Sequence, residues 1–111
     1  MFTIAAEKNF ENKIKQMLRN EEAYFVKFFA NGYTKTGVPD ILACINGYFV
    51  GIEVKAENGH PSDLQIYNIE HIRRAGGFAF IVYPSGYSDL VKFVHDLKCE
   101  EFTRDLPMIL K

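Results

Sequence analysis

Several features that define large classes of protein are missing from this sequence. Its two cysteines, Cys44 and Cys99, are too few for a disulfide framework and lack the spacing of a zinc site. There is no apolar run of about 18 residues that would cross a membrane, and acidic residues closely follow the short apolar stretch at the start. We therefore expect a cytoplasmic protein that makes no contact with membranes.

A large net charge is also absent. The 111 residues include 13 basic and 14 acidic side chains, which gives a net charge of −1. No global positive field therefore attracts nucleic acid, and any contact with DNA depends on a local patch. At this length, and with 48% hydrophobic residues, we expect one compact domain that spans residues 1–111.

The most informative stretch is a predicted β-hairpin in residues 37–55. Asn46-Gly47 separates two β-prone runs, and both central positions of a type I′ turn need a positive φ. A two-residue loop fixes the register of the two strands, and counting outward from it places Asp40 opposite Glu53. Directly opposed side chains share one face of the sheet, where like charges repel each other. This pair of carboxylates therefore needs a compensating charge.

Lys55 provides one positive charge close to this pair. Side chains alternate along a strand, so Lys55 points to the same face as Asp40 and Glu53, while the opposite face is almost purely apolar. Hard divalent cations bind carboxylate oxygens. A site for a hard divalent cation such as Mg²⁺, with a neighbouring ammonium group, is therefore predicted at this end of the hairpin.

The same residues resemble a known family. The Pro-Asp step at residues 39–40, followed by Glu-Val-Lys at 53–55, resembles the PD-(D/E)XK nucleases. Two further features narrow this resemblance: a glycine begins the Gly-Val-Pro-Asp motif, and Gln65 follows later. With them the sequence resembles the virus-type replication-repair nuclease domain, VRR-NUC, in its stand-alone bacterial or phage form. The resemblance covers most of residues 7–84. It implies a bacterial or phage-infected cell as the host.

The resemblance implies a metal-dependent DNA endonuclease. Its expected substrate is structured DNA, such as a branched, flap or junction molecule, met during replication, repair or recombination. The residues assigned to catalysis are Glu11, Asp40, Glu53, Lys55 and Gln65. The resemblance implies that Glu11, Asp40, Glu53 and the backbone carbonyl of Val54 bind one or two Mg²⁺ or Mn²⁺ ions.

Some of these positions also have a simpler explanation. Glu11 lies on the flank of a helical apolar stripe, where it could do no more than pair with Lys15 one turn later. Lys27 interrupts an aromatic, strand-like run, and Tyr33 and Lys35 lie in a loop beside the predicted site. We therefore treat Lys27, Tyr33 and Lys35 as candidates for DNA contact that could equally be solvated side chains.

Gln65 also has two possible roles. Ser62 and Gln65 form the pattern of a capping box, so the glutamine could simply start a helix. However, it also heads the stripe that continues with Ile69 and Ile72, which places it on the sheet-facing side of that helix. There it would reach the end of the strand that carries Glu53.

The element order predicts an α/β fold with a mixed central sheet flanked by helices. The order is helix, strand, hairpin, helix, strand, helix, and the PD-(D/E)XK resemblance implies the same restriction-endonuclease-like core. The tail, residues 100–111, has an apolar end that could dock on the core or on another subunit. Together with the small size of the chain, it leads us to expect a homodimer. The alternative to a nuclease is a catalytically inactive DNA-binding or assembly module with the same fold.

Overall fold

The computed structural model describes residues 4–102 and 105–111, which form a five-stranded sheet and three α-helices. A 3₁₀ turn, Pro84–Gly86, precedes the last helix. In chain order the elements are α1 (Ile4–Asn20), β1 (Tyr24–Lys27), β2 (Ile41–Ile45), β3 (Tyr48–Val54), α2 (Asp63–Arg74), β4 (Phe78–Val82), α3 (Tyr87–Cys99) and β5 (Ile109–Leu110). None of the described helices is long and apolar enough to cross a lipid bilayer.

The sheet is mixed, as predicted. Its strand order is β1-β2-β3-β4-β5, in which β2 is antiparallel to both β1 and β3, and β4 is parallel to both β3 and β5. The α2 helix is the crossover that joins the parallel strands β3 and β4, which is the usual way to connect such a pair. The predicted α/β fold with a mixed central sheet and flanking helices is therefore confirmed.

The hairpin has the predicted register. Asn46 and Gly47 both have a positive φ, 51° and 84°, as a type I′ turn requires. The β2–β3 ladder runs from the turn outward and ends at the pair Ile41–Ile52. Asp40 lies one residue beyond it, where its carbonyl oxygen accepts a hydrogen bond of 2.8 Å from the backbone N–H of Phe28.

Two hydrophobic clusters lie on the opposite faces of the sheet. The larger one is formed by buried side chains of α1 and α3 and by those side chains of β2, β3 and β4 that face these helices. The smaller one lies under α2 and contains Ile69, Ala79, Ile81 and Tyr83. Every residue of β4 is buried because helices cover both of its faces. The sheet thus lies between α1 and α2, which pack on its opposite faces.

The tail completes the sheet of its own chain. Ile109 and Leu110 pair with Ile81 and Val82 as a fifth strand, and Leu110 is buried. The tail passes so close to Gly86 that a Cβ atom there would overlap the Leu110 carbonyl. Of the two positions left open by the sequence, docking on the core is therefore the one observed.

Candidate active site

A pocket of about 350 Å³ lies where β3 ends and α2 begins. The side chains that line it are Glu7, Lys8, Glu11, Lys27, Asp40, Glu53, Lys55 and Gln65. All five residues assigned to catalysis are in this set. Tyr33 and Lys35 are not, and both are exposed in the loop after β1. Val54 is buried at the end of β3, next to the pocket.

Glu53 is the most deeply buried acid of the pocket, with 3% of its surface exposed. Its Oε2 atom accepts a hydrogen bond of 3.0 Å from Gln65 Nε2 and lies 3.3 Å from Lys55 Nζ. Its Oε1 atom is buried without a hydrogen-bond partner among the described residues. Burial, and next the negative charge of Asp40, raise the pKa of Glu53 to about 8. The site thus holds a carboxyl group that needs another cation before it ionises readily.

Gln65 has both of its expected roles at once. Its Oε1 atom accepts a hydrogen bond of 2.9 Å from the Ser62 N–H, and its own N–H donates to Ser62 Oγ at 3.2 Å. The predicted capping box is therefore present. Because the carbonyl end of the side-chain amide is used by the cap, the NH₂ end is left to face Glu53. The start of α2 thereby fixes the orientation of a hydrogen-bond donor in the pocket.

Asp40 connects the hairpin to the first strand. Its Oδ2 atom accepts a hydrogen bond of 2.9 Å from the backbone N–H of Val54, and its Oδ1 atom lies 3.3 Å from Lys27 Nζ. The prediction that Asp40 and Glu53 lie together is confirmed by the shared pocket. Asp40 is partly exposed, and both of its carboxylate oxygens face a donor. Glu53 is buried, and its Oε1 atom has no donor among the described residues.

Glu11 reaches the pocket from α1 and is paired with lysines. Its Oε1 atom lies 2.7 Å from Lys27 Nζ, and its Oε2 atom lies 2.9 Å from Lys15 Nζ and 3.6 Å from Lys8 Nζ. Burial acts to raise the pKa of Glu11, but the hydrogen bonds from Lys27 and Lys15 outweigh it, so the pKa is lowered. The simple pairing with Lys15 and the location in the pocket are therefore both observed.

The sequence did not point to one residue that shapes the approach to Asp40. Asn68 of α2 is buried, and its Nδ2 atom donates to the carbonyls of Leu64 at 2.8 Å and Thr36 at 3.2 Å. Gly37, which follows Thr36, has a φ of 86°, and a Cβ atom there would lie 2.7 Å from the Leu64 carbonyl carbon. A polar residue at a buried position of an amphipathic helix was the signal that could have indicated Asn68.

The donor set fits a hard divalent cation on the side of Asp40 and Glu53. Carboxylate oxygens are the ligands that Mg²⁺ and Mn²⁺ prefer, and Glu53 Oε1 is buried without a partner in the described part of the chain. Within residues 4–102 and 105–111, however, no three acidic, histidine or cysteine side chains form a ready-made metal cluster. Glu11, the third predicted carboxylate ligand, is instead held by lysines.

Comparisons with known proteins agree with this fold. A sequence model described as archaeal Holliday junction resolvase (Hjc) matches residues 5–103. A solved structure titled "VRR_NUC domain" is similar to this chain with a TM-score of 0.60 and 23% identity, over 87% of this chain and 97% of that chain, which shows a shared fold. No curated protein matches the sequence. Since the family match extends over most of its length, the chain belongs to the archaeal Holliday junction resolvase (Hjc) family of PD-(D/E)XK nucleases.

Proposed function

We propose that this protein is a metal-dependent endonuclease that hydrolyses phosphodiester bonds in branched DNA, a four-way junction above all, during replication, repair or recombination. Membership of a nuclease family supports the class of reaction. The observation that carries the proposal is the grouping of Asp40, Glu53 and Lys55 in one pocket, where a buried oxygen of Glu53 lacks a partner among the described residues. A catalytically inactive module of the same fold would have no use for this costly arrangement.

Asp40, Glu53 and the backbone carbonyl of Val54 would hold the ion, Mg²⁺ or Mn²⁺. When bound, such an ion lowers the pKa of a water molecule and stabilises the charge that develops on the phosphate. Glu53 contributes a negative charge close to Asp40, and the repulsion between the two carboxylates is relieved when a cation joins them. Glu11 was the further ligand implied by the family resemblance, and its lysine partners would have to move before it could take part.

Lys55 and Gln65 have separate tasks in this proposal. Lys55 is largely buried, with 14% of its side chain exposed, so its charge is poorly screened by water. It would orient the attacking water or neutralise charge on the phosphate, and one well-placed donor of this kind is worth roughly 3 kcal/mol. Gln65 acts through Glu53, since its NH₂ group holds Oε2 in place.

The exposed loop after β1 is the proposed contact with the DNA backbone outside the pocket. Tyr33 is fully exposed, and Lys35 lies exposed two residues later. This loop leads directly to Gly37 and Asp40, so a strand bound by it would pass the pocket. Lys27 was predicted to contact phosphate as well, but its ammonium group lies between two carboxylates.

We also propose that residues 1–111 are one nuclease domain that acts as a homodimer. A four-way junction has two equivalent positions to cut, whereas the chain has one set of Asp40, Glu53 and Lys55. The α2 helix packs mainly on β4 and leaves the β1–β2 part of the same sheet face open. Tyr24 of β1 is 71% exposed on this open part, and Phe49, at the neighbouring start of β3, is 46% exposed, so together they offer an apolar surface to a second copy.

The test is cleavage of a labelled four-way junction, a flap and a plain duplex of the same sequence. We expect cleavage of branched DNA with Mg²⁺ or Mn²⁺, and none in chelator or with the Glu53→Gln variant. An inactive module would bind the junction equally well under all of these conditions and cut nothing. That outcome, with protein shown to be folded, would refute the proposed activity.

A further inference from the structure

We infer that the Lys27 ammonium group is a built-in cation that takes the position of a second metal ion between Glu11 and Asp40. The protein would then bind one divalent ion, next to Asp40 and Glu53. This inference rests on the proposed metal-dependent function and narrows it, because it removes Glu11 from the ligands of the ion and assigns it to Lys27.

The position of Lys27 is the first reason. Its Nζ atom lies 2.7 Å from Glu11 Oε1 and 3.3 Å from Asp40 Oδ1, so a single positive charge joins a carboxylate of α1 to the one before β2. A divalent ion bound by the same two oxygens would lie beside the ammonium group, and adjacent cations repel each other where water screens them poorly. The ammonium group therefore opposes the binding of a second ion here.

Burial makes this position of the lysine stable. Lys27 is the last residue of β1, and 19% of its side chain is exposed. Its Cα atom is the partner of Ile41, the residue after Asp40, so the strand ladder itself places it beside Asp40, while Glu11 meets it from α1. A poorly screened charge that is held by two opposite charges is not easily displaced by an ion from solution.

The balance of charge around the two glutamates is the second reason. Glu11 has three lysine ammonium groups within 3.6 Å, from Lys8, Lys15 and Lys27. Both oxygens of Glu11 thus face a lysine. Glu53 has one ammonium group, from Lys55 beside Oε2, while its Oε1 atom has neither an ion pair nor a hydrogen bond among the described residues. The remaining demand for positive charge is therefore at Glu53. We expect the ion to bind there and Glu11 to stay with its lysines.

The test counts bound ions instead of measuring cleavage. Mn²⁺ is titrated into the full chain, and the free ion is followed by electron paramagnetic resonance, with calorimetry as a second measure of stoichiometry. We expect one Mn²⁺ per wild-type chain. Lys27→Met keeps much of the aliphatic stem but removes the charge, so Glu11 and Asp40 become free to bind a second ion, and we expect two.

Matched variants separate this effect from a general change of charge. Lys15→Met also removes a cation from Glu11 but leaves Lys27 in place, so one ion is expected. Lys27→Arg keeps the charge, and one ion is expected again. The double variant Lys27→Met with Glu11→Gln lacks the second pair of carboxylates and should return to one ion. Lys27→Gln repeats the main comparison if Lys27→Met does not fold.

The outcomes distinguish this inference from the proposed function. Two ions on the wild-type chain, or no gain with the uncharged variants at position 27, would overturn the role of Lys27 while leaving a metal-dependent nuclease intact. No ion on the wild-type chain would refute the metal-dependent function instead. In that case a gain of one ion in Lys27→Met still supports the inference, and no gain overturns it.

Discussion

The Glu53 carboxyl group makes the stability of the metal-free protein depend on pH. Its pKa is about 8 in the folded chain and near 4.5 in an unfolded one, so between these values the folded state keeps a proton that the unfolded state has released. Stability must therefore fall as the pH rises through this window. We expect Glu53→Gln to lose this part of the pH dependence and to be the more stable protein at pH 8 in chelator.

The measurement is urea unfolding of both proteins from pH 5 to 9 in the presence of chelator. The difference between the two free energies of unfolding is the useful quantity, because contributions that the two proteins share cancel in it. Curves that run parallel over the whole range would mean that Glu53 does not hold a proton in the folded state.

Each single substitution of the three central side chains is expected to lower cleavage about as much as removing all three, because the groups work together. Asp40→Asn, Glu53→Gln and Lys55→Ala should each lower the rate of junction cleavage by orders of magnitude, because the three groups share one pocket. Groups that act together are strongly non-additive. The double variant Asp40→Asn with Glu53→Gln should therefore be hardly slower than either single variant.

Single-turnover rates with saturating enzyme would measure this effect free of changes in DNA affinity. Circular dichroism before each assay shows that the variant is folded. A single variant that keeps most of the wild-type rate would remove its residue from the site.

At the scale of the elements, Gly37 is where the loop before β2 packs closely against the first turn of α2. Gly37→Ala should destabilise the protein by about 2–4 kcal/mol, from the positive φ and from overlap with the Leu64 carbonyl. It should also slow cleavage in the folded fraction, up to about 100-fold, because a shift of this loop moves Asp40.

The chain contains a matched control for this change. Gly47 has a similar φ of 84°, but a Cβ atom there would meet nothing within 4 Å. Gly47→Ala should therefore cost only the backbone strain, about 1–2 kcal/mol, and leave cleavage by the folded protein unchanged. Thermal unfolding and cleavage rates of the two variants give the comparison, and equal effects on cleavage would exclude a special role for the loop at Gly37.

Local patterns in the sequence were sufficient for the elements that carry the site. The register of the hairpin follows from Asn46-Gly47, and the capping box at Ser62 and Gln65 needs only four consecutive residues. Both features were predicted because a turn and a helix start are encoded by neighbouring residues. The meeting of Asp40, Glu53 and Gln65 followed from these two features and the order of the elements.

Contacts between distant elements were not predictable in the same way. The ion pair of Glu11 with Lys27 joins α1 to β1, and Asn68 joins α2 to a loop that is 32 residues away. The tail was left open because two residues, Ile109 and Leu110, are too few to show a strand period. Such contacts depend on how the helices and the tail pack on the sheet, which is information that a single sequence does not display.

For the whole molecule, the open face of the sheet leads to a prediction about assembly. Tyr24 and Phe49 belong to adjoining positions of the ladder, with Cys44 exposed between them. A stable interface covers roughly 800 Å² on each partner, and an apolar centre of this kind favours it. We expect a dimer by light scattering at micromolar concentration, and a monomer for Phe49→Glu.

The edge strand β5, away from this open face, provides the control. Ile109 of β5 is 44% exposed, similar to Phe49, so Ile109→Glu adds the same charge at a comparable surface position and should leave the dimer intact. A wild-type protein with the mass of a monomer at every concentration tested would end the idea of a dimer. Dissociation by Ile109→Glu alone would place the interface at the other edge.

The double use of the Gln65 amide has one more consequence, for the exchange of backbone hydrogens with solvent. The N–H groups of Ser62 and Gln65 are protected by the capping box, so they exchange only when the first turn of α2 opens. The same opening withdraws the side-chain donor from Glu53. The exchange rate of these two amides in D₂O therefore reports how often the first turn of α2 opens, and the Gln65–Glu53 hydrogen bond breaks, in a folded molecule. A bound Mn²⁺ or Mg²⁺ ion that holds Glu53 in place should slow this exchange, while the amides at the far end of α2 exchange as before.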